Sequence, residues 1–175
     1  MSQASLDQGL GRRIKMLNDR CEIMALLCSR SSAYWNHWKL AVQLPLIITS
    51  SSMAILNSFA DDGSGMQIPN VIVNSVSVLL MTMNNSLKIF EKVESFRSQS
   101  QAFIELSHEI EALGDELSST EVNALVSKYD MINKSVSWES IPSWIKSRVR
   151  NDFGGKKHLP LNINGVPVLE EGRIV

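Results

Sequence analysis

The stretch that decides the fold runs from Leu40 to Leu87: LAVQLPLIITSSSMAILNSFA, then DDGSGMQ, then IPNVIVNSVSVLLMTMNNSL. The 21 residues of Leu40–Ala60 carry no charge, and neither do the 25 residues of Gly63–Leu87. Asp61 and Asp62 are the only ionisable residues between these segments. A helix needs about 20 mostly apolar residues to cross a bilayer. The pattern therefore predicts transmembrane helices at residues 40–60 and 68–87, joined by a polar turn at residues 61–67.

A pair of buried helices in a soluble bundle is the alternative. Soluble helices of this length normally keep a charged face towards water, and neither segment has such a face. Both segments are polar for lipid, however, because they contain Gln43, Thr49 to Ser52, Asn57, Asn70, Asn74, Ser75, Asn84 and Asn85. The absence of charge over both lengths favours the membrane.

The residues that flank the two segments predict the topology. Positive charges precede the first segment and follow the second, whereas the turn carries only acids; the cations are Arg12, Arg13, Arg20, Arg30, Lys39, Lys88, Lys92 and Arg97. Cytoplasmic flanks are enriched in Lys and Arg, so we expect both termini in the cytoplasm and the turn on the other side. Four aromatic residues at the cytoplasmic ends are predicted interfacial anchors: Tyr34, Trp35, Trp38 and Phe90.

The apolar pattern continues beyond the membrane on both sides. Apolar residues recur every three or four positions in residues 1–39 and again from Ile89 to Leu117, which is typical of amphipathic helices. Each span thus resembles the middle of one long helix of roughly 50 residues. The predicted fold is an all-α membrane protein: a long antiparallel helical hairpin that crosses the bilayer twice and extends into a cytoplasmic helical bundle (residues 1–39 and 88–153).

A regular polar pattern predicts how the two spans face each other. Gln43, Ser50 and Asn57 are spaced by seven, and so are Asn70, Ser77 and Asn84. If the helices fold back about the turn, the pairs Asn57–Asn70, Ser50–Ser77 and Gln43–Asn84 all have residue numbers that add up to 127. The same register outside the membrane matches apolar residues with apolar residues. We interpret the six polar residues as intramembrane contacts between the helices; the alternative is a water-filled pathway in an oligomer.

Two short helices and a tail complete the chain. Ser118 followed by Glu121 predicts a capping box, with Val122, Leu125, Tyr129 and Ile132 on the apolar side of the helix that follows. Pro142 fits the first turn of another helix, which ends at Gly154–Gly155, with Trp144, Ile145 and Val149 as its apolar side. Residues 154–175 are rich in Pro, Gly and Asn, and we expect an extended tail that docks on a partner.

No motif for catalysis or for a cofactor occurs. The three histidines, His37, His108 and His158, lie in different segments, and no metal-ligand spacing, Walker loop or nucleophile elbow is present. Cys21 and Cys28 lie on one helical face, where small buried residues in a reducing compartment are expected. Net charge is −1, which does not favour nucleic acid. We expect no enzyme, no cofactor and no small-molecule substrate. Asp61 and Asp62 fit a solvated turn better than a pore mouth.

Two segments resemble known proteins. KIFEKVESFRSQSQAFIELSHEIE resembles the segment that follows the membrane in SLATT-type proteins, through Glu91, Phe96–Arg97, Phe103, Leu106 and Ile110–Glu111. YDMINKSVSWESIPSWIKSRVRNDF is similar to the C-terminal part of two-span proteins of large nucleocytoplasmic DNA viruses, through Ile141–Pro142 and Trp144, and YWNHWK also fits. The resemblance covers roughly Leu10 to Phe153. Arg97 replaces the usual histidine, so no functional residue is transferred.

The resemblance implies two functions. SLATT-type proteins of bacteria are regarded as effectors that oligomerise into membrane pores, whereas the viral relatives look like structural membrane proteins of the particle. A chain without a sensor domain fits the second better. We therefore expect a minor capsid or inner-membrane protein that links a bilayer to a protein coat, with other coat or membrane proteins, or a second copy of the chain, as partners. A pore-forming effector is the alternative, and a cellular membrane scaffold is a third.

Overall fold

The computed structural model describes residues 3–59, 67–113, 118–155 and 157–164, and every regular element in these ranges is helical. A 3-10 turn, Trp138–Ser140, precedes the fifth of six α-helices: α1 (Gln3–Phe59), α2 (Gln67–Leu87), α3 (Ile89–Leu113), α4 (Ser119–Ser135), α5 (Ser143–Phe153) and α6 (Leu161–Asn164). The predicted all-helical class is confirmed. Residues 60–66, which contain Asp61, Asp62 and most of the predicted turn, lie outside the described residues.

The first amphipathic segment and the first predicted span form a single helix. α1 is 57 residues long and continues through Pro45, although proline removes one hydrogen bond from the helical ladder. One turn later, the Thr49 hydroxyl donates to the carbonyl oxygens of Pro45 (2.8 Å) and Leu46 (3.1 Å). The polar group of Thr49 is therefore satisfied within its own helix.

The second predicted long helix is interrupted at Lys88. The backbone of Lys88 has φ 49°, a left-handed conformation that is unfavourable for a side chain with a Cβ atom. The Lys88 N–H donates to Asn85 O (3.3 Å), and the Lys88 carbonyl accepts from Lys92 N (3.1 Å). The expectation of one continuous helix from residue 68 to Leu113 is thus wrong, because the left-handed residue ends α2 and starts α3.

The chain divides into two compact units. The first, here called the bundle unit, comprises Met1–Ser32 and Glu94–Val175; the second, the apolar unit, comprises Ala33–Val93. The bundle unit buries large side chains from α1, α3, α4, α5 and α6, among them Cys21, Ile23, Met24, Leu27, Cys28, Phe96, Phe103, Leu106, Val122, Leu125, Tyr129, Ile145, Val149 and Ile163. The amphipathic pattern of the sequence therefore corresponds to a real apolar core.

Two buried hydrogen bonds define the register of α1 and α3 in the bundle unit. Ser100 Oγ donates to Ala25 O (2.9 Å), and Ser107 Oγ donates to Asn18 Oδ1 (2.6 Å). Higher numbers on α3 therefore face lower numbers on α1, as in an antiparallel pair. Both contacts have residue numbers that add up to 125, two less than the register inferred from the polar residues of the spans.

The capping box of α4 is confirmed. The Glu121 N–H donates to Ser118 Oγ (3.3 Å), and the Ser118 N–H donates to Glu121 Oε2 (2.8 Å). The pKa of the Glu121 carboxyl is lowered because its Oε2 atom accepts hydrogen bonds from the Ser118 N–H and from the Ser118 hydroxyl (2.8 Å), and both favour the carboxylate. Two free N–H groups at the start of α4 are thereby satisfied.

Helix α5 and the tail differ in part from expectation. Ile145 and Val149 are buried as predicted, but Trp144 is 54% exposed, because its position on α5 points away from the core. After α5, the Lys157 ammonium pairs with Glu22, the His158 N–H lies 3.4 Å from Asp19 Oδ2, and Ile163 is fully buried. Residues 157–164 therefore pack on their own chain instead of forming an extended tail; residues 165–175 lie outside the description.

Candidate membrane-contact surface

The apolar unit exposes large apolar side chains along both of its predicted spans. In α1, Ile47 and Ile48 are 61% and 62% exposed, and in α2, Val71 is 65% exposed. Other exposed side chains of this surface are Leu40, Leu44, Ile55, Ile72, Val76, Val78, Leu79, Met81, Met83 and Leu87. Such a contiguous surface exceeds what a soluble monomer normally shows.

One stretch within the described residues, Gly9–Ile55 of α1, is long and apolar enough to cross a membrane by length and composition, and only 11% of its apolar window is buried. The core helix of a soluble protein would be mostly buried. α2 spans Gln67–Leu87 without a charged residue, as the sequence predicts for a second span.

A narrow face of each helix is covered. On α1, Val42 and Met53 are buried, and Gln43, Leu46 and Thr49 are partly buried. On α2, the partly buried residues are spaced by four, three and four positions: Val73, Ser77, Leu80 and Asn84. This spacing follows one face of a helix, so the remaining faces carry the exposed apolar side chains.

Burial is described for four of the six residues that we interpret as intramembrane contacts. Gln43, Ser77 and Asn84 lie on the covered faces, whereas Ser50 is exposed. Ser50 follows Thr49 by one residue, which rotates its side chain about 100° away from the covered face of α1. The pairing of these residues across the two helices stays a prediction. The side chains of Asn57 and Asn70 lie outside the described part of the molecule.

Asn84 has an unusual environment at the end of α2. Its Oδ1 atom is buried and has no hydrogen-bond partner among the described residues. A groove of about 290 Å³ adjoins it, lined by Asn84, Asn85, Lys88, Phe90 and Glu91. An unpaired buried amide oxygen is costly, so this end of α2 offers an acceptor to water or to a neighbouring molecule.

Two of the predicted anchors, Trp35 and Phe90, contact lysines that the sequence analysis counted only as flanking charges. Tyr34 and Trp35 make an edge-on ring contact with centroids 5.3 Å apart. Lys39 Nζ lies 4.6 Å from the centroid of the Phe90 ring, and Lys92 Nζ lies 4.1 Å from that of Trp35. Aromatic rings and lysines in such an arrangement are typical of the boundary between lipid and water. In the sequence, each of the four predicted anchors has a lysine or an arginine within four positions, and this proximity is the signal that could have indicated the contacts.

Trp38, the remaining anchor, is 45% exposed. With Tyr34, His37 and Ala41 it lines an apolar groove of about 210 Å³ along one face of α1. This face continues the exposed apolar surface towards the lysines. The role of the four aromatic residues as interfacial anchors stays a prediction. We call these four residues, together with Lys39 and Lys92, the boundary layer.

The nucleophilic groups of the bundle unit are buried in apolar surroundings. Burial raises the pKa of the Cys21 and Cys28 thiols from 9.0 to about 12, and it raises the pKa of Tyr129 to about 12. Groups shifted in this direction are held in their neutral, unreactive form. Among the described residues, no group of three or more His, Cys, Asp or Glu side chains could hold a metal ion.

No protein-family model, curated protein or solved structure matches this chain. The assignment of a function thus depends on the surface itself: an uncharged, exposed apolar region that ends at a layer of aromatic and lysine side chains.

Proposed function

We propose that the chain is an integral membrane protein whose residues 40–60 and 68–87 cross a lipid bilayer as a helical hairpin. Both flanking regions would lie in the cytoplasm. The observation that carries the proposal is the exposure of large apolar side chains on segments without any charge. Water is a poor solvent for this surface and lipid is a good one, since burial of apolar area yields about 25 cal/mol per Å².

The aromatic and lysine side chains of the boundary layer support the direction of insertion. Trp35, Lys39 and Lys92 lie just before the first uncharged segment or just after the second, on the predicted cytoplasmic flanks. An aromatic ring packs among lipid headgroups while an ammonium group reaches the water. This arrangement fits a boundary at the cytoplasmic leaflet.

For the role of this anchor, we propose a non-enzymatic structural protein that links a bilayer to a protein coat, as in the inner membrane of a virus particle. The resemblance to viral two-span proteins supports this choice. Trp144, one of the residues that carry the resemblance, is 54% exposed on the bundle unit, and Met131 is 68% exposed. Such side chains are available for contact with a coat protein.

Spin labels provide the test of membrane insertion. We would attach a nitroxide to the variants Ile47→Cys and Leu79→Cys of the full chain in liposomes, with Met131→Cys as the matched exposed position on the bundle unit. Cys21 and Cys28 are fully buried and should not be labelled. Oxygen concentrates in lipid, so the labels at positions 47 and 79 should be more accessible to oxygen than to a water-soluble nickel complex. The label at position 131 should be more accessible to the nickel complex. Nickel access at position 47 equal to that at position 131 would refute the proposal.

The second candidate function is a pore. It is favoured by the buried Oδ1 atom of Asn84, which has no hydrogen-bond partner in the described part of the chain, and by the partial burial of Ser77 on the same face of α2. Dye release from liposomes distinguishes the candidates. A structural anchor should retain the dye, whereas a pore should release it and should lose this activity in the Asn84→Leu variant.

A further inference from the structure

A groove on the bundle unit combines an apolar floor with two arginines, Arg13 and Arg20, that form no ion pair with any residue that the structure describes. It has a volume of about 250 Å³ and lies between α1 and α4. Its floor consists of buried side chains, and Val126, 40% exposed, forms part of its wall. The floor and the charged rim are formed by Arg13, Met16, Leu17, Arg20, Val122, Asn123, Tyr129 and Asp130. Such a groove fits an apolar side chain flanked by acids.

Arg20 is the most informative residue of this groove. Its Nε atom is buried and has no hydrogen-bond partner in the described ranges. A guanidinium donor that is shielded from water and unpaired is unfavourable. Arg13 is exposed nearby, and within the described ranges neither arginine forms an ion pair with Asp130, the acid that lines the groove. An incoming carboxylate would pair with Arg20 without displacing any partner.

The same unit carries a complementary surface on α3. Ile104 is 43% exposed, and Glu105, His108 and Glu111 are exposed on the same side of the helix. This side is opposite the one that buries Phe103, Leu106 and Ile110 in the core. Glu105 and Glu111 form no salt bridge in the described part of the chain, whereas Glu109 pairs with Lys128. The surface thus presents one apolar side chain beside two carboxylates that form no ion pair with any described residue.

The groove and the acidic surface lie at the same height along the bundle unit. The contacts Ser107–Asn18 and Ser100–Ala25 fix the antiparallel register of α3 against α1. In this register Glu105 is level with Arg20, and Glu111 is level with position 14, next to Arg13. Consider two copies that are related by a rotation about an axis parallel to α1 of the bundle unit. Such a rotation does not change the height of any residue along the axis. Glu105 of one copy is therefore at the height of Arg20 of the other copy, and Glu111 is close to the height of Arg13.

We propose that the groove binds the Ile104–Glu111 surface of a second copy of this chain, in a head-to-tail contact. Ile104 enters the groove beside Val126, and Glu105 pairs with Arg20. Two different surfaces meet in such a contact, so each copy keeps one free groove and one free acidic surface. Repetition closes into a ring of three or more copies or continues as an open array. The proposal does not depend on insertion into lipid.

Charge reversal tests the contact with the full chain in detergent. Light scattering after size-exclusion chromatography at low salt gives the molar mass. We expect wild type to exceed the mass of one chain, 19.5 kDa, at least threefold. The variants Arg13→Glu/Arg20→Glu and Glu105→Arg/Glu111→Arg should each fall to one chain, because the reversed surface then repels the native one.

An equimolar mixture of the two variants should again form assemblies of several chains, in which the variants alternate. The acidic groove of one variant faces the basic surface of the other, and the native groove of the second faces the native acidic surface of the first. This rescue also shows that both variants are folded. The matched control, Glu139→Arg with Arg148→Glu, reverses two exposed charges elsewhere on the unit and should keep the wild-type mass.

The proposed contact is wrong if the wild-type protein has the mass of one chain. It is also wrong if the charge-reversed variants keep the wild-type mass, or if the mixture of the two variants does not associate. Arg13→Glu alone, at an exposed position, provides a second variant in case replacement of the partly buried Arg20 prevents folding. It should weaken association at least tenfold, and unchanged association would also overturn the proposal. Spin-label access at positions 47 and 79 is a separate measurement, so failure of this contact is distinguishable from failure of membrane insertion.

Discussion

Lys92 Nζ lies 4.1 Å from the centroid of the Trp35 ring, which joins the start of α3 to α1 within the apolar unit. The second such contact, Lys39 over Phe90, runs in the opposite direction, with the cation on α1. The two pairs link α1 and α3 in antiparallel order, and each places a positive charge on an aromatic face. A cation over an indole ring contributes about 0.5–1 kcal/mol at an exposed site and about 2 kcal/mol when water is excluded.

Removal of the ammonium group should weaken this link. We expect Lys92→Met to lower the free energy of unfolding by about 0.5–1 kcal/mol, because methionine retains most of the stem but not the charge. Denaturant unfolding in detergent, monitored by tryptophan fluorescence, measures the change. In a double-mutant cycle with Trp35→Leu, a coupling energy near zero would show that the geometry makes no energetic contribution.

The core of the bundle unit should be sensitive to truncation at Phe103. This side chain is fully buried, and its ring centroid lies 5.7 Å from that of Tyr129. Phe103→Ala should lower the free energy of unfolding by about 3–5 kcal/mol, through lost burial and the cavity left behind. Met131→Ala, at an exposed apolar position of α4, should change it by about 0.5 kcal/mol or less. Equal effects of the two changes in chemical unfolding would contradict the described core.

Alkaline pH should destabilise the bundle unit through its thiols. Burial raises the pKa of Cys21 and of Cys28 from 9.0 to about 12, so the unfolded chain loses these protons first. Below pH 9 both states hold the protons, and stability falls as the pH rises from 9 towards 12. At pH 10 the loss should be about 1 kcal/mol per thiol.

The double variant Cys21→Ala/Cys28→Ala should be less stable near neutral pH but should show a flatter dependence above pH 9. Thiol titration with a chromogenic disulfide provides an independent check. Both cysteines should react only after unfolding, and fast labelling of the folded chain at pH 8 would contradict their burial.

The start of α4 should depend on its capping box. Ser118→Ala removes the acceptor for Glu121 N–H and should lower the free energy of unfolding by about 1 kcal/mol, whereas Ser119→Ala, inside the first turn, should have little effect. Because the pKa of Glu121 is lowered, its carboxylate contributes to stability at pH values above the usual pKa of a glutamate. This contribution to stability is lost as the pH falls through the lowered pKa. The difference between Ser118→Ala and wild type should therefore shrink in acid, as thermal unfolding at several pH values would show.

The segment after α5 should contribute to stability without any partner. Ile163 is fully buried, so Ile163→Ala should lower the free energy of unfolding by about 2–4 kcal/mol. Asn162 is exposed, and Asn162→Ala serves as the neighbouring control with little expected change. If the Ile163 variant unfolds at the same denaturant concentration as wild type, the segment does not belong to the core.

Local patterns in the sequence predicted the helices and their ends well. The spacing of apolar residues from Leu17 to Cys28 and from Ile89 to Ile110 predicted buried faces of α1 and α3, because a helix presents a regular face to its neighbour. Ser118 and Glu121 predicted the start of α4 through a hydrogen-bond pattern that involves only four residues. The position of four aromatic residues beside the uncharged segments predicts interfacial anchors, which stays a prediction, and two of these residues contact lysines in the structure.

Features that depend on tertiary contacts were not predictable. Lys88 carries no local signal for a left-handed backbone, because glycine or asparagine is usual at such a position. Trp144 is apolar and lies on a helix beside the buried Ile145, yet only the position of the other helices decides that it faces outwards. Residues 157–164 contain charge and proline, which predict a tail, but Glu22 and Asp19 of α1 provide partners that are distant in sequence.

The bundle unit is built from both ends of the chain, Met1–Ser32 and Glu94–Val175, with the apolar unit between them. During synthesis the residues of Ala33–Val93 therefore leave the ribosome while the bundle still lacks α3, α4 and α5. The first helix has no core to join at that moment, and closure must wait for a loop of some sixty residues to be completed. The order of translation thus releases the uncharged segments before the bundle unit has the helices that it needs to fold.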